Sequence, residues 1–323
     1  MKKLNLLFGL LISLSLTFTA CYKEDYDPSY DDNFSDEFYD EEAGNHDHDH
    51  DADFEGEGNT SAIANYEVDG DFIIKKSSTK HAQTWMNDEA KHQFMWEHFA
   101  KMVGTDQRRW IVEFEVFDGG GDLLGYVQPI NEGDLSRWKF ALAIDVAYVN
   151  GEFDKDNEYT YTLIHEYAHV ITLNETQINT NTSGCTTYEN QEGCTYTDSY
   201  INQFQQRFWA DIMEEFEIAT YETHESDAFY DKYQDRFVTN YAATNPEEDL
   251  AEVFSFFVTK DAMPQGGSMA DEKVRSLYDY PELVHLRNTM RQGASALPAA
   301  GTWSRAKQLK LKKFKSGKTV LRR

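Results

Sequence analysis

Residues 162–171 read TLIHEYAHVI, and this stretch decides the fold prediction. Apolar residues surround His165 and His169, which are four positions apart and therefore lie on one face of a helix. Both imidazoles can reach a single metal ion, while Glu166 beside them is placed to take a proton from a water molecule at that ion. A buried pair of structural histidines would give the same pattern, so the motif by itself leaves both interpretations open.

The segments before this helix predict a small antiparallel or mixed sheet. Residues 88–102 have a helical apolar pattern, and residues 110–117 and 123–130 alternate as strands do on either side of a glycine break. Residues 138–149 predict a third strand, which we expect at the edge of the sheet, where an extended peptide could pair with it. The remainder reads as mostly helical, and this order of elements predicts an α+β fold.

A second helix, predicted to begin at Pro246, offers a carboxylate to the histidines. A catalytic zinc site needs a third protein ligand and an open position. Glu248 and Glu252 are i and i+4 on this helix, on the side of its buried residues. Glu252 lies well inside the apolar part, where a carboxylate needs a partner, and the N–H of a metal-bound histidine would serve.

HEYAH followed by a helix with Glu-x-x-x-Glu resembles the gluzincin metallopeptidases, in which two histidines and a glutamate hold zinc. The string Tyr-x6-Glu-x3-Glu is similar to the lethal-factor type of catalytic domain and to zinc-binding metallopeptidase lipoproteins of bacteria. The strong match covers about 160–173 and 241–257. The resemblance implies a zincin-like domain over residues 80–295 with one Zn2+. It assigns the following roles: His165, His169 and Glu248 as zinc ligands, Glu166 as catalytic base, Glu252 as a carboxylate behind the ligands, and Tyr241 as the phenol that stabilises the oxyanion. Glu247 is the alternative to Glu248, and Tyr241 is otherwise an ordinary packed tyrosine.

The N-terminus has the pattern of a lipoprotein signal peptide over residues 1–20. Two lysines precede an apolar run that is short for a bilayer span, and small residues then lead to Cys21. FTAC at 18–21 resembles a bacterial lipobox, in which the cysteine is lipidated and becomes the mature N-terminus. We therefore expect a lipid-anchored protein of the bacterial cell envelope, on the outer-membrane surface or facing the periplasm. A plain signal peptide with an incidental cysteine is the alternative.

Charge is distributed unevenly along the chain, whose net charge is −27. Residues 21–58 hold 16 acidic residues against one lysine, and residues 21–79 are predicted to form an acidic disordered stalk. Residues 296–323 are predicted to be a mobile basic tail. So acidic a chain argues against nucleic-acid binding, which requires neutralisation of phosphates. The alternating His46–Asp51 either captures zinc loosely or is a solvated linker.

Cys185 and Cys194 remain as a pair if Cys21 carries lipid. In an oxidising compartment we expect them to form a disulfide, worth about 2–3 kcal/mol for so short a loop. A thiolate metal site is a poor alternative because no histidines lie nearby to complete it. The loop either forms a wall of the substrate cleft or is a stapled surface loop.

These patterns predict a zinc metallopeptidase that hydrolyses peptide or protein substrates with zinc-activated water and is held at the membrane through Cys21. Two other functions remain open. One is a catalytically silent zincin-like binding module of a surface nutrient-import assembly. The other is a metal-scavenging lipoprotein that attracts ions with His46, His48 and His50.

Overall fold

The computed structural model describes residues 19–22, 61–155, 157–181, 184–223 and 226–294. Within these ranges the chain has the mixed α+β organisation that the sequence predicts, with a sheet built mainly by the first half and helices by the second. The predictions for the signal-peptide core, for the His46–Asp51 tract and for the basic tail lie outside the described residues.

The main sheet has the strand order β1-β5-β6-β4-β2-β3. Neighbouring strands run antiparallel except β4 and β6, which are parallel. Short two-stranded ribbons pair β7 with β8 and β9 with β10. The strands are β1 Thr19–Tyr22, β2 Ser61–Asp69, β3 Phe72–Ser78, β4 Ile111–Asp118, β5 Leu123–Asn131, β6 Asp134–Ala143, β7 Tyr148–Val149, β8 Glu152–Phe153, β9 Ile178–Asn179 and β10 Cys194–Thr195.

The helices follow the predicted distribution, with one before the strands β4 to β6 and most after them. They are α1 Glu89–Met102, α2 Ile144–Ala147, α3 Glu158–Leu173, α4 Tyr200–Phe208, α5 Met213–Glu217, α6 Ser226–Lys232, α7 Pro246–Thr259, α8 Met269–Ser276 and α9 Pro281–Gly293. Among the described residues, no helix has the length and continuous apolar character that a membrane crossing requires.

The predicted end of the stalk at residue 79 is wrong. Residues 61–78 form the hairpin β2–β3, which pairs with β4 and contributes Ile63 and Tyr66 to the core. The hairpin turns at Gly70, which has a φ of 60° and follows Asp69, a dipeptide typical of a tight β-turn. The folded domain therefore begins by Ser61, because this segment has the apolar side chains and the turn that a strand pair needs.

The prediction that the strand at 138–149 is an edge strand is also wrong. That strand is β6, which ends at Ala143 and lies between β5 and β4, paired on both sides. After β4 the chain forms β5 two strand positions away, and β6 then inserts between them and pairs with both. Alternation along the sequence predicts strands but not their order in the sheet.

Aromatic rings join α1, the sheet and α3 into one core. The ring of Phe99 on α1 stacks on that of Phe140 in β6, with centroids 4.8 Å apart, and meets the edge of Tyr167 on α3 at 5.6 Å. Trp96 lies 5.3 Å from Phe114 of β4. These side chains are at most 1% exposed, so α3 is fixed against the sheet on one side, while α7 packs against its other side.

Candidate metal centre

The histidines lie on α3, which is enclosed along its length. Asp154 accepts hydrogen bonds from the backbone N–H groups of Tyr159 and Thr160 at 3.1 and 3.3 Å and so holds the first turn. Every residue from Tyr159 to Leu173 is buried. Enclosure between the sheet and α7 explains why this helix is apolar on most sides, and it makes the buried histidines dependent on partners from other elements.

The carboxylates lie on α7, whose start is fixed as the sequence predicts. The side-chain oxygen of Asn245 accepts from the backbone N–H of Glu248 at 2.8 Å, and Pro246 occupies the first helical position. Because the first residue of the helix is fixed in this way, so is the set of its side chains that faces α3. Glu248 and Glu252 consequently face α3, where they are 5% and 0% exposed.

One oxygen of Glu248 meets both histidines. Its Oε2 lies 3.0 Å from Nε2 of His165 and 3.3 Å from Nε2 of His169, and the two nitrogens are 3.1 Å apart. Ligands arranged tetrahedrally at about 2.0–2.2 Å from zinc lie roughly 3–4 Å from one another. These three buried groups could therefore hold a metal ion. The alternative ligand Glu247 does not belong to this group of three and lies instead near Tyr188 and Asn190, where burial raises its pKa.

Glu252 orients His165 from behind. Its Oε1 accepts from Nδ1 of His165 at 2.8 Å, while its Oε2 accepts from the hydroxyls of Tyr161 at 3.0 Å and Thr239 at 2.7 Å. With the proton on Nδ1, Nε2 of His165 keeps its lone pair for a metal. Sequence reasoning identified Glu252 but missed Tyr161 and Thr239. Tyr161 stands four residues before His165 on the same helix face, a signal that could have found it, whereas nothing local marks Thr239.

Burial and neighbouring charges keep the candidate ligands in the protonation states that bind metal. Burial lowers the pKa of His169 below 6.5, so its imidazole is neutral at neutral pH. Burial alone would raise the pKa of Glu248, but the adjacent His169 and His165 outweigh it and lower the pKa to about 2. A neutral imidazole and an ionised carboxylate are the forms that coordinate zinc.

The two residues predicted to act on substrate lie beside this cluster. Glu166 follows His165 on α3 and is fully buried, and β5 runs close against it, since a Cβ added to Gly125 would lie 3.1 Å from Cγ of Glu166. Tyr241, in a short 3₁₀ turn before α7, places its ring centroid 5.7 Å from that of His165. Tyr241 is thus brought against His165, and the side chain of Glu166 is placed against β5.

The loop from Cys185 to Cys194 lies against the start of α7. The two cysteines are at disulfide distance, with Cα atoms 5.5 Å apart. Between them, Tyr188 and Asn190 lie near Glu247, the neighbour of Glu248. Burial and the nearby charge of Glu247 raise the pKa of Glu192 to about 7. The loop therefore lies beside the first turn of α7, next to Glu248.

Comparison with protein-family models, with curated proteins and with solved structures finds no match to this chain. The resemblance to gluzincins, which rests on residues 160–173 and 241–257, remains a prediction. The geometry of the site carries the functional argument.

Proposed function

We propose that this protein is a zinc metallopeptidase in which His165, His169 and Glu248 hold one zinc ion. The observation that carries the proposal is the convergence of these three ligand atoms, although His165 and Glu248 are 83 residues apart in sequence. Two imidazoles and one carboxylate, with a fourth position open, are a donor set of catalytic zinc, whereas structural zinc sites are closed and rich in cysteine.

When bound, zinc supplies a Lewis acid that polarises a carbonyl and lowers the pKa of a water molecule towards neutrality. Glu166 takes a proton from the attacking water and passes it to the leaving amine. The phenol of Tyr241 stabilises the oxyanion that develops on the scissile carbonyl. Glu252 keeps the ring of His165 in the orientation that binds metal.

The substrate is proposed to be an extended peptide that pairs with the outer edge of β5. The backbone of β1 supports this choice, because it pairs antiparallel with β5 and places Cys21 opposite Gly125, the residue that packs against Glu166. Signal-peptide cleavage before Cys21 would remove Thr19 and Ala20 and open the part of this edge that they cover. Main-chain pairing of this kind recognises peptides and not small molecules.

The location is proposed from the sequence FTAC at 18–21. A lipid on Cys21 would hold the mature protein at a membrane of the bacterial envelope, and the acidic residues that follow would separate the domain from that membrane. This part of the proposal does not depend on the metal centre and is tested separately.

The proposal is tested by digesting a broad peptide library with the wild type and with Glu166→Gln while the zinc content of both is measured. We expect the wild type to cleave, and we expect Glu166→Gln to retain one zinc per chain while cleaving about 10²–10⁴-fold more slowly. Equal cleavage by the two proteins would contradict the role of Glu166.

Two other outcomes favour the alternative functions. One tightly bound zinc without cleavage of any library peptide by the wild type would favour the silent binding module. Several weakly bound ions that disappear when residues 46–51 are deleted would favour metal scavenging.

A further inference from the structure

A buried ion pair involves the residue next to the proposed zinc ligand Glu248. Asp249, the next residue on α7, lies about 100° around the helix from Glu248. Its Oδ2 accepts from Nζ of Lys273 on α8 at 2.5 Å and from the indole N–H of Trp209 at 2.7 Å. Asp249 and Lys273 are both 0% exposed. The first turn of α7 is therefore held from a second side, adjacent to the one that faces the histidines.

Aromatic rings enclose the lysine of this pair. Nζ of Lys273 lies 4.3 Å from the ring centroid of Phe237 and 5.7 Å from those of Phe204 and Trp209. The rings stabilise the ammonium through their negative faces. The rings also exclude solvent from the Lys273 ammonium, so the carboxylate of Asp249 balances its positive charge.

Stability alone does not account for such a pair. Burying two charges has a large desolvation cost, and apolar residues of similar volume are often as stable or more stable. Oδ1 of Asp249 moreover has no hydrogen-bond partner within the part of the chain that the structure describes. The pair instead fixes a position, because its two short hydrogen bonds are directional and hold the Asp249 carboxylate in one place. Apolar contacts are not directional and would let the first turn of α7 shift.

We propose that Asp249 and Lys273 are positioning residues for the metal centre, holding the first turn of α7 where Glu248 meets His165 and His169. This inference rests on the proposed zinc function. Glu248 needs such support because its Oε2 must stand about 3 Å from two nitrogens at once, and a displacement of about 1 Å would weaken a coordination bond.

The test replaces both charges together, with Asp249→Leu and Lys273→Met in one variant. We expect the metal-free double variant to unfold at a urea concentration close to that of the metal-free wild type. Its zinc dissociation constant, measured by competition with a chromophoric chelator, should rise about 10–100-fold, the range for groups that orient metal ligands. A purely structural pair would not change affinity at constant stability.

The matched control removes another ion pair, Glu115–Lys139, which lies on the sheet with Nζ and Oε2 2.9 Å apart. The double variant Glu115→Leu with Lys139→Met should bind zinc like the wild type. A zinc dissociation constant that is unchanged in the Asp249/Lys273 variant, or raised equally in the control, would overturn the inference. A wild type that binds no zinc would instead overturn the proposed function itself.

A milder variant keeps the inference testable if the double variant does not fold. Trp209→Phe retains an aromatic ring at this position and removes the indole N–H that donates to Asp249, together with part of the ring volume. We expect this folded variant to bind zinc several-fold more weakly than the wild type. Unchanged affinity in Trp209→Phe would count against the positioning role.

Discussion

At the scale of single residues, the most specific assignment is that of Glu248, and not Glu247, as the third metal ligand. Both belong to the acidic first turn of α7, where helix-dipole effects alone favour carboxylates. Of the two, Glu248 is the one whose carboxylate lies within reach of both histidines, while Glu247 lies near Tyr188 and Asn190 of the disulfide loop. The two glutamates therefore form a natural pair of test and control.

We predict that Glu248→Gln loses at least tenfold in zinc affinity, because an amide oxygen carries no charge to balance the ion. Glu247→Gln should retain one zinc per chain with wild-type affinity. Zinc content after dialysis, measured by atomic emission, distinguishes the two variants. The reverse pattern would transfer the ligand role to Glu247.

The pH dependence of zinc binding follows from the direction of the pKa shift at His169. Burial depresses this pKa below 6.5, so the imidazole loses its metal-binding form only when the pH falls below that value. Chelator competition should therefore give a zinc affinity nearly constant from about pH 8 to about pH 6.5, falling below it. An affinity that declines steadily from pH 8 would point to thiolate ligands.

The residues at the site could be predicted where local regularity places them. His165 and His169 share a helix face by spacing, and Glu248 and Glu252 share one for the same reason. Thr239 could not be found in this way, since it reaches Glu252 from a loop. The same holds for Lys273, which reaches Asp249 from another helix by tertiary packing.

At the scale of elements, the closeness of β5 to α3 sets the position of Glu166. Gly125 permits this approach, because a Cβ there would meet Thr162 Cγ2 at 2.9 Å and Glu166 Cγ at 3.1 Å. A methyl group at this point must displace β5 or the helix, and it would shift the base relative to the proposed zinc ion.

We predict that Gly125→Ala destabilises the protein by about 1–3 kcal/mol, as over-packing does, and lowers peptide cleavage while zinc content is retained. Gly267→Ala is the control, since an added Cβ there meets nothing within 4 Å. Urea unfolding and cleavage assays on both variants give the comparison. Full activity in Gly125→Ala would show that the contact does not position Glu166.

The disulfide loop is a second element with a definite expectation. Cys185 and Cys194 should be oxidised in protein taken from its native compartment, so alkylation before reduction should label neither. Replacing both with serine should lower the free energy of unfolding by about 2–3 kcal/mol. Free labelling of both thiols would contradict the stapled-loop interpretation.

Elements were predicted better than their arrangement. The helix expected over 88–102 is α1, capped by Asp88, whose Oδ1 accepts from the backbone N–H of Ala90. The order of the strands could not be predicted, because alternation reports which face a side chain occupies and not which strand lies next to it. For that reason β6 was predicted to be an edge strand, although it pairs with a strand on both sides. The hairpin β2–β3 was missed because the acidic composition before it obscured its start.

At the scale of the whole molecule, the predicted lipid anchor explains the order of segments along the chain. We predict that the mature protein begins at an acylated Cys21 and sediments with membranes, and that Cys21→Ser is released to the soluble fraction. Intact-mass analysis of both forms provides the measurement. Membrane-bound protein with an unmodified Cys21 would contradict the prediction.

The central claim is that two helices distant in sequence build one zinc centre. Anomalous diffraction at the zinc edge from crystals of the zinc-loaded protein tests it directly. We expect one peak per chain, about 2.0–2.2 Å from Nε2 of His165, from Nε2 of His169 and from a carboxylate oxygen of Glu248. The fourth position should be free of protein atoms. A peak bound through Glu247, or no peak between the two histidines, would contradict it.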